Sequence, residues 1–279
     1  MRKITRKLLE EYSAHLTMDE RSKLTIEKYM RDITAFMAFA GEYEITKELV
    51  MDYKNKLIKD SYALRSINSM LASLNSFFDY IGWSDFKVKS LKVQQQLFCS
   101  EDKELSKAEY ERLCKTAEKN HNERLKLIIQ TICGTGIRVS ELQFITVEAI
   151  KKGYTQVFCK GKNRKIFIVK ELQKRLNYYI KRYSLETGPV FVTKTGKSIN
   201  RSNIWREMKQ LCKDANVNCK KVFPHNLRHL FARTFYKIEK DIAKLADILG
   251  HSSIETTRIY IISTGFEHLK KMESMRLVI

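Results

Sequence analysis

The feature that most constrains this chain is the recurrence of apolar residues at helical spacing with almost no proline to interrupt it. Leu64, Ile67, Leu71, Leu74, Phe78 and Ile81 fall alternately three and four apart, which lines one face of an α-helix and no face of a strand. Ile26, Tyr29, Ile33 and Phe36 repeat the pattern. With only 2 Pro in 279 residues, little breaks such helices. A shorter helix is expected over 47–58, capped by Thr46. Residues 1–86 are therefore expected to form a small helical bundle around a shared apolar face. Over 87–104 the periodicity lapses and three glutamines run together, so this stretch reads as a linker. Ser106-Lys-Ala-Glu109 has the form of a capping box and opens a second domain over 105–279.

The second domain mixes patterns. A buried helix is expected over 125–133, closed by Gly134-Thr-Gly136, and another helix from about Val139. The stretches 154–159 and 165–169 alternate and are rich in aromatic and β-branched residues. With Gly161-Lys-Asn163 between them they read as a β-hairpin. The remainder is mainly helical, with breaks near Gly188-Pro189, Thr195-Gly196, Pro224 and Gly250. The fold class expected is mainly α (α+β): a helical bundle followed by a mostly helical domain with a small antiparallel sheet. Each domain is long enough to bury a core without disulfides or a structural metal.

Charge narrows the partner. The chain carries 52 Lys+Arg against 32 Asp+Glu, a net charge of +20. Residues 1–100 contribute +3, whereas the 83 residues 151–233 hold 21 basic and 4 acidic side chains. A field so concentrated is the footprint of a polyanion, because neutralised phosphates release their counterions. A solvated basic surface is the plainer alternative. An acidic membrane fits less well, since no polybasic run adjoins an amphipathic anchor. No apolar run is long enough for a membrane span, and the N-terminal residues have no signal-peptide core, so a cytoplasmic protein is expected.

Several chemistries lack their residues. The six Cys are expected to be reduced and buried. Cys212, Cys219, His225 and His229 resemble a Cys₂His₂ set in type, but their spacing is wrong for zinc. Cys133 has no His or Asn at an informative spacing to make it a nucleophile. There is no Walker loop, no dinucleotide fingerprint and no carboxylate cluster of the two-metal kind.

What remains is a set of cations, imidazoles and a phenol. Arg138 follows the turn Gly134-Thr-Gly136 at an expected helix start, where its guanidinium and free backbone N–H groups would face an anion. Lys160 lies at the hairpin turn in Cys-Lys160-Gly-Lys162-Asn. His225 and Arg228 share a helical face in Pro224-His225-Asn-Leu-Arg228-His229. Tyr260 closes Leu249-Gly-His251-Ser-Ser-Ile-Glu-Thr-Thr-Arg-Ile-Tyr260, nine residues after His251. Each has a plainer reading: Arg138 as an ion-pair partner of Glu141, the histidines as hydrogen-bonders at helix ends, and Tyr260 as core packing between Ile259 and Ile261.

In these four boxes, in this order and spacing, the sequence resembles the tyrosine recombinase, or phage integrase, family and its simple Xer-like members. The resemblance covers the second domain by motif. The first domain is similar to the family's helical core-DNA-binding domain in length and pattern only. It implies a site-specific recombinase that cleaves and rejoins DNA through a 3′-phosphotyrosine and a Holliday junction, with no metal, ATP or other cofactor. Arg138 and Arg228 would grip the scissile phosphate, Tyr260 would attack it, and Lys160 would protonate the departing 5′-hydroxyl. His225 would assist proton transfer at the nucleophile, and His251 would hydrogen-bond a phosphate oxygen. A phenol of pKa near 10 needs such help to attack. Lys162 rivals Lys160, and Tyr236 rivals Tyr260. Glu141 and His229 fall at supporting positions.

The same resemblance implies double-stranded DNA with short inverted-repeat core sites, a homotetramer on synapsed DNA and a two-domain clamp. It also implies an accessory DNA-bending or directionality protein, nucleoid association and service to a mobile element. Side chains of 151–233 and helices in 20–82 are expected to touch DNA. The tail 261–279, with Phe266, Leu269 and Met272 at helical spacing, is expected to dock on a neighbouring protomer. The competing readings are a DNA-binding regulator that kept the fold, a relaxing type IB topoisomerase, and an RNA-binding module, for which no RRM or KH signature exists.

Overall fold

A computed structural model of the chain describes residues 2–93, 104–159, 162–193, 195–261 and 272–275. It divides into two compact units, Met1–Gln95 and Gln96–Ile279. The first is built from α1 (Arg6–Met18), α2 (Lys23–Ala40), α3 (Lys47–Lys59), α4 (Leu64–Tyr80) and a 3₁₀ turn, Ser84–Phe86. The apolar stripes explain it: Ile33, Phe36, Ile67, Leu71, Leu74 and Phe78 are fully buried in one core with Tyr12, Val50 and Tyr53. Thr46 caps α3 by accepting the Leu49 N–H at 3.2 Å, worth about 1 kcal/mol. Within the stretch read as linker, residues 87–91 lie along α4. Asn75 pairs with both backbone groups of Val88, and Asn68 with both of Leu91. Polar side chains secure this segment, so no apolar period announces it. Residues 94–103 lie outside the described residues.

The second unit runs α5 (Lys107–Lys119), α6 (Glu123–Thr135), α7 (Val147–Lys152), β1 (Tyr154–Cys159), β2 (Lys162–Phe167), α8 (Lys170–Arg182), α9 (Arg201–Asp214), α10 (Pro224–Glu239), α11 (Ile242–Leu249) and α12 (Ile254–Ile261). The capping box forms, with Ser106 and Glu109 each accepting from the other's backbone. α6 is the central helix, with Leu125, Ile128, Ile129 and Ile132 buried. It ends on Gly136, whose φ of +64° is a left-handed cap.

Two local expectations are corrected. After Arg138 the chain forms no α-helix but a six-residue 3₁₀ turn, Val139–Phe144. The Glu141 carboxylate folds back onto the Arg138 N–H at 2.9 Å and tightens the turn, so that N–H is not free for an anion. The second strand also begins at Lys162 rather than Lys165, pairing antiparallel with β1. Lys162 and Asn163 are therefore strand residues.

Candidate active site

Pro224 occupies the first position of α10, where its missing N–H costs nothing. One turn later the helix presents Arg228, only 1% exposed. No carboxylate among the described residues neutralises this buried guanidinium. It donates instead to the carbonyls of Gly136 and Leu249 and to His251 Nε2 at 3.0 Å. Its Nε, also buried, has no hydrogen-bond partner among the described residues. Burial, then the charge of Arg138, push its pKa down to about 10, so it stays a cation at neutral pH.

The C-terminal end of α11 organises three arginines. The successive carbonyls of Ile248, Leu249 and Gly250 accept from Arg164 (2.8 Å), Arg228 (2.6 Å) and Arg138 (3.1 Å) respectively. A helix C-terminus has unpaired carbonyls and a partial negative charge, and here it orients cations. The buried carboxylate Glu141, 3% exposed, pairs with Arg138 at 2.9 Å and with Arg164. Burial acts to raise the Glu141 pKa, but the Arg138 N–H and the two guanidinium charges outweigh it and hold the carboxyl below its usual range. Asp247 stands exposed at the edge of the adjoining pocket of about 410 Å³. Arg138, Asn163, Arg164, Lys165 and His251 help to line that pocket.

Tyr260 is brought to this cluster by α12, and its ring, 6% exposed, joins a small core with Ala232, Leu245 and Leu249. Its hydroxyl lies 3.3 Å from His225 Nε2, and its ring stacks on His229 with centroids 4.1 Å apart. The rival Tyr236 packs, partly buried, on the outside of the same small core. His251 faces Arg228 through Nε2 and Thr257 Oγ1 through Nδ1 at 2.9 Å. Because a guanidinium only donates, Nε2 is the acceptor and the ring proton sits on Nδ1. Burial followed by the Arg228 and Arg138 charges lower the His225 pKa and hold His251 at about 4. Burial, then His225, hold His229 at about 4. His229 and His251 are thus neutral at pH 7.

Five of the six residues chosen from sequence, Arg138, His225, Arg228, His251 and Tyr260, therefore meet at one place; Lys160 lies outside the described residues. Four partners, Glu141 among them, were not among the six. Arg164 reaches in from β2, Thr257 is fully buried against His251, and His229 backs the Tyr260 ring. Arg164 did leave a signal. It pairs across the hairpin with Val157, in the inward phase shared with Thr155 and Ile166, where a charge is out of place unless it has partners.

Comparison with known proteins places this geometry. Residues 103–265 match the profile described as the phage integrase family, and residues 9–84 match that of the phage integrase N-terminal SAM-like domain. The chain belongs to the phage integrase family. Within it, tyrosine recombinase XerA of Pyrococcus furiosus is 30% identical, over 95% of this chain and 92% of the relative. Tyrosine recombinase XerD of Staphylococcus haemolyticus is 26% identical, over 91% and 92%. The crystal structure of XerA recombinase aligns with a TM-score of 0.55 at 26% identity, covering 99% of this chain and all of that one. A lambda integrase dimer bound to a COC′ core site aligns with a TM-score of 0.75 over 94% and 96%, at 18% identity, a likeness of fold.

Proposed function

We propose that this phage integrase family member is a site-specific tyrosine recombinase acting on double-stranded DNA, with Tyr260 as its nucleophile. The observation that carries the reading is the buried Arg228 guanidinium, which has no ion-pair partner among the described residues and a buried Nε without a hydrogen bond, set beside Arg138 and Tyr260. Such a site is stable with an anion in it, and a phosphodiester supplies one. Tyr260 adds the nucleophile at the same place.

In the reaction, the non-bridging oxygens of the scissile phosphate would bind Arg138 and Arg228, which stabilise the charge that builds at phosphorus. The Tyr260 oxygen attacks as its proton passes to His225, whose lowered pKa leaves Nε2 free to accept. The phosphorus–oxygen bond to the 5′ side breaks, and Lys160 protonates the leaving hydroxyl. The phosphoryl bond passes to the tyrosine, so the 5′-hydroxyl of another strand can reverse the step without a nucleotide. His251 offers an Nε2–H to a phosphate oxygen only once Arg228 turns its Nη2 away and the ring takes the other tautomer, its proton on Nε2 and Nδ1 accepting from the Thr257 hydroxyl. A homotetramer on paired core sites belongs to this reading, and a lambda integrase tetramer bound to a Holliday junction is among the solved structures that share the fold. Unit one would supply core-DNA binding and unit two the chemistry. Inverted-repeat sites, an accessory bending protein, a nucleoid location and a mobile-element role belong to the same reading. No helix among the described residues is long and apolar enough to cross a membrane.

Covalent capture tests this. The protein is incubated with EDTA and fragments of its own genomic neighbourhood, denatured, and the DNA still attached is recovered. The expected result is attachment with wild type and none with Tyr260→Phe. Salt-sensitive binding with no attachment by wild type would favour the DNA-binding regulator.

A further inference from the structure

We propose that Arg164 is a positioning residue for this chemistry: it fixes the Arg138 guanidinium, through Glu141, and pins β2 to the end of α11. The inference rests on the reading of Arg138 as a phosphate ligand and adds a residue that none of the sequence boxes contains.

The geometry has three parts. First, Glu141 is shared. Its Oε1 takes Arg138 Nη1 at 2.9 Å, while its Oε2 takes both the Arg138 N–H at 2.9 Å and Arg164 Nη2. Arg138 alone would hold the carboxylate from one residue only, so that the two could shift together. The second guanidinium, itself only 10% exposed in its side chain, removes that freedom and so sets where Arg138 points. Second, Arg164 and Arg138 bind one helix end two residues apart, at the Ile248 and Gly250 carbonyls. The two arginines therefore share both an acid and a scaffold. Third, the path is cut to fit. Gly250 has φ +65°, and a Cβ there would stand 2.5 Å from Arg164 Cδ. Only a residue without a side chain lets the Arg164 stem cross the cap of α11, and His251 follows directly. Arg164 also stands four residues after Lys160 in the sequence, on the strand leaving the hairpin turn.

A structural salt bridge would cost stability without preference for one partner, whereas a positioning residue acts through Arg138. The test is a double-mutant cycle in the full-length protein, on the duplex recovered by covalent capture. Single-turnover formation of the Tyr260 adduct is measured for wild type, Arg164→Ala, Arg138→Ala and the double variant, with DNA affinity and Tm for each. Arg164→Ala is expected to slow adduct formation on the order of 100-fold, the scale of an ångström of misplacement, with DNA affinity unchanged. In the Arg138→Ala background the same change should cost less than about 2-fold. Arg164→Lys, which keeps the charge but not the fork, should recover part of the rate; it replaces Arg164→Ala in the cycle if the latter fails to fold. Equal slowing in both backgrounds, or no slowing in a wild-type background that does form the adduct, overturns the inference alone. Absence of the adduct in wild type overturns the functional reading beneath it as well.

Discussion

Glu141 is one buried carboxylate serving two guanidinium groups, and its removal takes an acid from both. Glu141→Gln is expected to lower stability by about 3 kcal/mol, since breaking a buried pair strands a charge. Acid should do the same in two steps. His229 and His251 have folded pKa values of about 4, below their unfolded value of 6.5. The unfolded chain therefore binds protons first, and stability present above pH 6.5 is lost as the pH falls towards 4. Glu141, whose pKa is also depressed, contributes stability above its unfolded value near 4.5 and loses it on further acidification. Thermal melts from pH 8 to pH 3 should show a declining Tm that starts between pH 7 and 6. His229→Gln and His251→Gln should flatten its upper part, and Glu141→Gln its lower part. A Tm independent of pH down to 5 would contradict this assignment of neutral imidazoles.

At the scale of elements, α8 separates its charges by face. Arg175 pairs with Glu171 at 2.9 Å and Arg182 with Glu123 at 3.1 Å. Lys170, Lys174 and Lys181 have no ion-pair partner among the described residues. They line a groove of about 630 Å³ with Lys151, Asn177 and Tyr178. Replacing the three lysines by alanine should reduce the slope of log affinity for duplex DNA against log salt by about 0.9 for each lysine that meets a phosphate. An unchanged slope would remove α8 from the DNA surface. The elements differ in how well the sequence announces them. The stripes of α2 and α4 are legible because one buried face repeats with the helical period, and Gly136, Pro224 and Gly250 stand where the chain must turn. The 3₁₀ turn after Arg138 is not legible, because a carboxylate reaching backwards decides its tightness, and Val139–Phe144 carries no local sign of that. The start of β2 is hidden likewise. Lys162 and Asn163 have poor strand character, and their partners across the hairpin hold them in it. In the site, the boxes expose Arg138, His225, Arg228, His251 and Tyr260, whereas Arg164 is legible only once the register of the hairpin is known.

At the scale of the whole molecule, the two units differ in charge. The first is nearly neutral and held by an aromatic-rich core; the second carries the basic excess and the site. The tail beyond α12 continues an apolar helical pattern through Phe266, Leu269 and Met272, of which Met272 is described and 65% exposed. Phe266 and Leu269 lie outside the described residues. We propose that this segment docks on a neighbouring protomer. Deleting 265–279 should lower assembly on paired sites, read by native gels or mass photometry, more than cleavage of a single site. Unchanged synapsis would end that idea. The central claim is that Tyr260 takes the phosphate, and the most direct measurement locates the bond. Covalent complexes are trapped in EDTA, digested with nuclease and protease, and the nucleotide-bearing peptide is sequenced by mass spectrometry. A nucleotide phosphate on Tyr260, joined through the 3′ carbon, is expected. The same modification on Tyr236, or a 5′ linkage, would contradict it.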